Sequence, residues 1–326
     1  LMIEQVDTSA GQFTSVSFIV NTRTPKIGAA GEIKAGEVRL KAPRETTQEA
    51  WAWDDALTLE FITNTPSAVR SLTIEPVDVS TIFLIGDSTV CDQSKEPYNS
   101  WGQMFTRFFK PEIAVANHGE SGETYRDSIG RRRLDKIVSV MKPGDWLIMQ
   151  FGHNDQKQIA AKSGGPSTYK EEIKQHVTAV RARGGVPIIV SPMERRGFDG
   201  SGKVRPSLVD YANASREIAH ELGVAFIDLN ALSKTLYAAL GVDKSARAFA
   251  TPGGRVDNTH HNNFGSHQLA QCIVQAIRDQ KLPLAKFIRD DFKGFDPAKP
   301  DDPDKFTVPA SGEFTNQRPL GDEANR

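Results

Sequence analysis

The chain is poor in cysteine, in charge of one sign and in long apolar runs, and each shortage narrows what it can be. Two cysteines among 326 residues, Cys91 and Cys272, are too few for a disulfide-held scaffold and lack the paired Cys/His spacing of a structural zinc site. Two buried free thiols are expected, with a single bridge between them as the open alternative. Lys and Arg total 40 against 41 Asp and Glu, for a net charge of −1 and a pI near 6.7. No basic field exists to hold nucleic acid or an anionic membrane. No apolar stretch approaches the roughly 18 to 20 residues of a membrane span. No basic segment followed by an apolar one opens the chain, so a secretion signal is expected to be absent or already removed before Leu1.

What is present changes grammar along the chain. Over residues 1–78 short sets of apolar residues alternate with polar ones: Val16, Phe18 and Val20; Val38 and Leu40; Leu57, Leu59 and Phe61; Leu72 and Ile74. Period two predicts strands, and a small β-sandwich is expected there as an accessory domain. From residue 79 to 290 the pattern becomes βα alternation, with continuous apolar runs at 82–85, 113–116, 146–151, 187–190 and 224–229. Runs that are apolar throughout suit parallel strands covered on both faces. Helices are expected over 101–109, 169–183, 208–222 and 266–280, and glycines at 184, 185 and 223 sit where helix C-caps fall. The expected fold is a three-layer α/β/α domain on a five-stranded parallel sheet, whose ligands sit at the carboxyl ends of the strands. Residues 291–326 carry five prolines among charges and read as a tail, disordered or laid along the surface.

Three polar clusters fall at that carboxyl edge or beside it. The first strand runs into Gly86-Asp87-Ser88-Thr89, the third ends in Phe151-Gly152-His153-Asn154-Asp155, and Asp257-Asn258-Thr259-His260 precedes the last helix. Each alone is an ordinary polar turn or cap. Together they supply a Ser88 nucleophile, a His260 base and an Asp257 carboxylate three residues from that His, able to fix its tautomer. His261 is expected to point elsewhere, and His153 to support its loop. His118, His176, His220 and His267 recur at no metal-ligand spacing, so no metal and no cofactor is expected. Arg131, Arg132 and Arg133 read as a solvated face at a helix start. Arg195 and Arg196 follow the fourth strand on the catalytic edge, where a guanidinium fork could meet a substrate carboxylate.

These blocks resemble the SGNH (GDSL) hydrolases. Gly86-Asp87-Ser88-Thr89, the glycine of Asn117-His118-Gly119-Glu120-Ser121-Gly122, Gly152-His153-Asn154-Asp155 and Asp257-Asn258-Thr259-His260 stand in that family's order, over about residues 81–278. Ser100-Trp101-Gly102-Gln103, Lys142-Pro143-Gly144-Asp145 and Ser191-Pro192-Met193 favour the rhamnogalacturonan acetylesterase branch, carbohydrate esterase family 12. The resemblance implies an oxyanion hole from the backbone N–H groups of Ser88 and Gly122 and the side-chain amide of Asn154. It implies a cofactor-free serine esterase that removes acetyl groups from a plant cell-wall polysaccharide, rhamnogalacturonan in pectin before xylan or another glycan, through an acetyl-Ser88 intermediate. A general short-chain carboxylesterase and a carbohydrate-binding protein with a silent hydrolase domain are the alternatives. An acetylated polysaccharide partner in turn implies a secreted or periplasmic protein.

Overall fold

The computed structural model describes residues 6–48, 50–53, 57, 59, 69–162 and 164–308. In the N-terminal part, β1 (Lys26–Ile27) and β2 (Gly36–Glu37) pair as an antiparallel ribbon. Ile27, Val38 and Trp53 form a small buried cluster there. Among the described residues this ribbon and the Ala30–Ile33 bridge at its turn are the only paired structure of the segment, and the expected sandwich is not seen. Val16, Phe18 and Val20, like Leu72 and Ile74, lie exposed in extended chain without a strand partner. A two- or three-residue alternation is too short to commit a segment to a sheet without a second face to pack on. Part of the 57–61 set lies outside the described residues.

The five apolar runs of the second part become β3 (Ser80–Gly86), β4 (Ile113–Asn117), β5 (Trp146–Gln150), β6 (Val186–Val190) and β7 (Ala225–Ile227). They form one parallel sheet in the order β4-β3-β5-β6-β7. Alternate residues of β3 feed two cores. Ile82 and Leu84 pack with Trp101, Phe105, Leu269 and Ile273 on one face, while Phe83 and Ile85 pack with Leu134, Ile137 and Tyr169 on the other. The first layer is built by α1 (Trp101–Phe105), α6 (Leu229–Ala246) and α7 (Asn263–Asp279), the second by α2 (Tyr125–Gly130), α3 (Arg133–Val140), α4 (Pro166–Ala182) and α5 (Val209–Leu222). The three-layer α/β/α expectation is met.

Helix ends follow local chemistry. Thr124 and Asp127 close a reciprocal capping box on α2, Asn262 caps α7 by accepting from the Gly265 N–H, and Gly223 ends α5 in the left-handed region at φ 58°. Helix α6 is absent from the expected helices, its first residue, Leu229, being the last of the apolar run 224–229 that reads as a strand. The chain after residue 290 is laid along the surface as far as residue 308. Phe292, Phe295 and Phe306 pack on the α1 and α7 layer, and the Asp301 carboxylate accepts from Gln268 and Gln271 of α7.

Strand order reverses between β3 and β5, since the chain steps from β3 out to β4 and then back past it. The carboxyl ends of these neighbours open the crevice in which such sheets bind ligands.

Candidate active site

Strand β3 stops at Gly86, where a Cβ would stand 2.5 Å from the Gln150 carbonyl of β5. The chain turns there, and buried Asp87 closes the turn: its Oδ1 accepts from the Thr89 N–H at 2.9 Å and the Thr89 hydroxyl at 2.7 Å. Burial alone would raise the Asp87 carboxyl, but the neighbouring His153 ring and the Thr89 donors hold it below the usual carboxylate range. Gln150 fastens the turn to the sheet, donating to Thr89 Oγ1 at 2.7 Å and accepting from Trp101 Nε1 at 2.7 Å. Ser88, 8% exposed, is left at the rim of the crevice.

The loop before α7 brings the histidine to it. His260 Nε2 lies 2.9 Å from Ser88 Oγ, and His260 Nδ1 lies 2.8 Å from Asp257 Oδ2. Asp257 also accepts from the backbone N–H groups of Thr259 and His260 through Oδ1. Partial burial pushes this carboxyl up, but those two N–H groups and the His260 ring hold it below its ordinary value. An ionised Asp257 accepts from Nδ1–H, which leaves Nε2 as the acceptor for the serine proton. The ring of Tyr98 meets His260 edge-on at 5.8 Å.

Gly122 and Asn154 arrive on the strands flanking β3. Gly122, at φ 75°, lies in the loop between β4 and α2, and Asn154 follows β5. The Asn154 amide is oriented from both ends: Nδ2 donates to the Glu123 carbonyl at 3.1 Å, and Oδ1 accepts from Lys157 Nζ at 2.8 Å. Neither the Ser88 nor the Gly122 backbone N–H has an acceptor among the described residues. Donors held in place without an internal partner are what a developing oxyanion requires.

The two arginines part company. Arg195 is half-buried beside the site and donates to the His153 carbonyl at 3.3 Å. Arg196 is used within the protein, donating to Ser245 Oγ, Asn258 Oδ1 and the Val242 carbonyl. The substrate-contact reading of Arg196 is therefore corrected: it ties the loop carrying Asp257 and His260 to α6.

His261 is buried against Tyr237 and Phe249, with Nε2 2.7 Å from the Tyr237 hydroxyl, and burial lowers it to about 3. Cys91 and Cys272 are free and buried, and burial raises the Cys91 thiol to about 12. His153 supports its loop through its carbonyl, which accepts from Gln156 Nε2 at 3.1 Å and from Arg195 Nη2 at 3.3 Å, while its ring Nδ1 stands 3.6 Å from Asp87 Oδ2. Arg133 is the clearest reversal, being fully buried between Glu123 and Glu45 rather than solvated. One partner, Glu45, comes from 88 residues away, so no local pattern announces the burial.

Residues 84–266 match the family model of the GDSL-like lipases and acylhydrolases. The chain belongs to this family. It is a carboxylic ester hydrolase of SGNH type, and the matched range takes in the hydrogen-bonded Ser88, Asp257 and His260. It is 35% identical over 214 residues to the rhamnogalacturonan acetylesterase RhgT of Bacillus subtilis, spanning 62% of this chain and 91% of that one. Over 252 residues it is 24% identical to a rhamnogalacturonan acetylesterase of Emericella nidulans, spanning 70% of this chain and 97% of the relative. The crystal structure of YxiM from Bacillus subtilis is similar at a TM-score of 0.58 and 28% identity, over 65% of this chain and 60% of that one.

Proposed function

We propose that this GDSL hydrolase is a carbohydrate O-acetylesterase whose substrate is acetylated rhamnogalacturonan, and that it works through an acetyl-Ser88 intermediate. The observation that carries the chemistry is the continuous hydrogen-bonded line from Asp257 through His260 to Ser88 at the reversal point of the sheet.

Ser88 Oγ attacks the acetyl carbonyl while His260 Nε2 takes its proton. The carbonyl oxygen becomes an oxyanion held by the N–H groups of Ser88 and Gly122 and by the Asn154 amide. Collapse breaks the bond to the sugar oxygen, and His260 returns the proton to that leaving oxygen. Water then attacks acetyl-Ser88, with His260 again as base, and releases acetate and free Ser88. Asp257 steadies the imidazolium throughout and stays ionised.

The substrate is supported by the activities for which the relatives are named and by the half-buried Arg195 beside the Asn154 loop, whose guanidinium matches a uronate carboxylate. A polymeric substrate implies work outside the cytoplasm, in the periplasm or after secretion. Acetate release from acetylated rhamnogalacturonan, acetylated xylan and p-nitrophenyl acetate tests the reading. The highest kcat/KM is expected on rhamnogalacturonan. Equal or better turnover of xylan would move the substrate assignment, and turnover confined to the phenyl ester would leave a general esterase.

A further inference from the structure

The N-terminal segment grips the loop that carries Gly122 from two sides. Lys41 Nζ donates to the Ser121 carbonyl at 2.5 Å, one residue before Gly122. On the other side Glu45, 3% exposed, accepts from Arg133 Nη2, and Arg133 Nε donates to Glu123 Oε1 at 2.8 Å, one residue after Gly122. Glu45 is itself fixed, accepting from the Lys41 N–H and from Trp53 Nε1 at 2.8 Å each. The Trp53 ring then meets His118, at the start of the same loop, edge-on at 5.9 Å.

We propose that Lys41, Glu45 and Trp53 act as a positioning strap for the oxyanion loop, with Lys41 and Glu45 setting where the Gly122 N–H points. This rests on the reading of Gly122 as an oxyanion donor. Two physical points favour it. Gly122 is held at φ 75° in a loop whose own sequence offers little rigidity, so its amide direction depends on what clamps its neighbours. The Glu123 carbonyl next to that clamp also receives the Asn154 amide, so the strap reaches two of the three proposed donors through one residue. The segment that precedes the hydrolase part would thus serve the chemical step itself, and not the capture of polysaccharide.

Full-length Lys41→Met, Lys41→Arg and Glu45→Gln are compared with the parent on p-nitrophenyl acetate, which has no sugar to bind. Ser88→Ala is the blank, and kcat is normalised to serines titrated by the acetyl burst. The strap predicts that Lys41→Met and Glu45→Gln each lose roughly tenfold or more in kcat at nearly unchanged KM, as misplacement of a positioned group does. Lys41→Arg should recover most of the loss. Should Glu45→Gln fail to fold, the Lys41 pair decides. Unchanged kcat per titrated serine in Lys41→Met, or a rise in KM with kcat intact, overturns the strap. A parent no faster than Ser88→Ala overturns the site reading and the strap with it.

Discussion

A serine hydroxyl is a weak nucleophile at neutral pH, and what alters that at position 88 is the acceptor nitrogen of His260 2.9 Å away. Ser88→Ala and His260→Ala should each lower kcat by several orders of magnitude while melting like the parent, because the members act as one unit. Activity within tenfold of the parent would remove them from the mechanism. Asp257→Asn keeps the shape but offers Nδ1 the wrong partner, and a loss of roughly 10⁴ in kcat is expected. Asn154→Ala should cost about 10² to 10³ in kcat with KM nearly unchanged, the loss for one oxyanion donor. A raised KM with kcat intact would make Asn154 a binding residue instead. The residues of this site were legible in the sequence because each sits in a short block directly at a strand end or before a helix. Arg196 was not, since its three acceptors belong to α6 and to the loop it braces, and nothing local distinguishes a bracing arginine from one that meets substrate.

Between elements, close approach and burial set the tolerances. Gly102 lets α1 lie against the turn after Ser88, and a Cβ there would stand 2.1 Å from the Val90 carbonyl. Gly102→Ala should destabilise the protein by about 1–3 kcal/mol, the cost of overpacking, readable as a lower urea midpoint. His176 of α4 sits fully buried against Ser128 of α2, and burial lowers it to about 4. The unfolded chain binds its proton near pH 6.5, so between those values the native state holds fewer protons than the unfolded one. The stabilising contribution is complete above about pH 6.5 and is lost as pH falls through about 4, by up to roughly 3 kcal/mol. His176→Gln should therefore show a shallower fall in Tm over that interval. Parallel curves for parent and variant would assign the acid sensitivity elsewhere. The sheet and most helices were readable because a doubly covered strand must be apolar on both faces. The start of helix α6 was hidden because Leu229 also closes an apolar run that reads as a strand, and Arg133 by an ion pair that only the folded chain assembles.

Over the described residues a parallel α/β sheet is flanked on both of its covered faces by chain from outside it. At the C-terminal end residues 291–308 cover α7, with the Phe306 ring centroid 5.5 Å from that of Phe264 and 5.2 Å from that of His267. Ending the chain at residue 290 should lower Tm by several degrees while leaving kcat per folded molecule unchanged, because the described hydrogen bonds and ion pairs of residues 291–308 reach Arg107, Lys244, Arg247, Gln268 and Gln271 and none reaches Ser88, Asp257 or His260. A loss of kcat at equal folding would bring the tail into the site. At the N-terminal end the sequence pattern pointed to a separate sandwich, whereas the described residues show a ribbon docked on α3, whose Lys136 Nζ donates to the Lys26 carbonyl at 2.6 Å. Alternation alone cannot tell a strand from extended chain that borrows its packing from a neighbour. The proposed mechanism turns on one covalent step, so the decisive measurement is peptide mapping by mass spectrometry of protein quenched in acid during turnover of p-nitrophenyl acetate. One acetyl group on the peptide containing Ser88, absent from Ser88→Ala, is the predicted result. An acetyl group on another residue, or turnover that persists in Ser88→Ala, would contradict it.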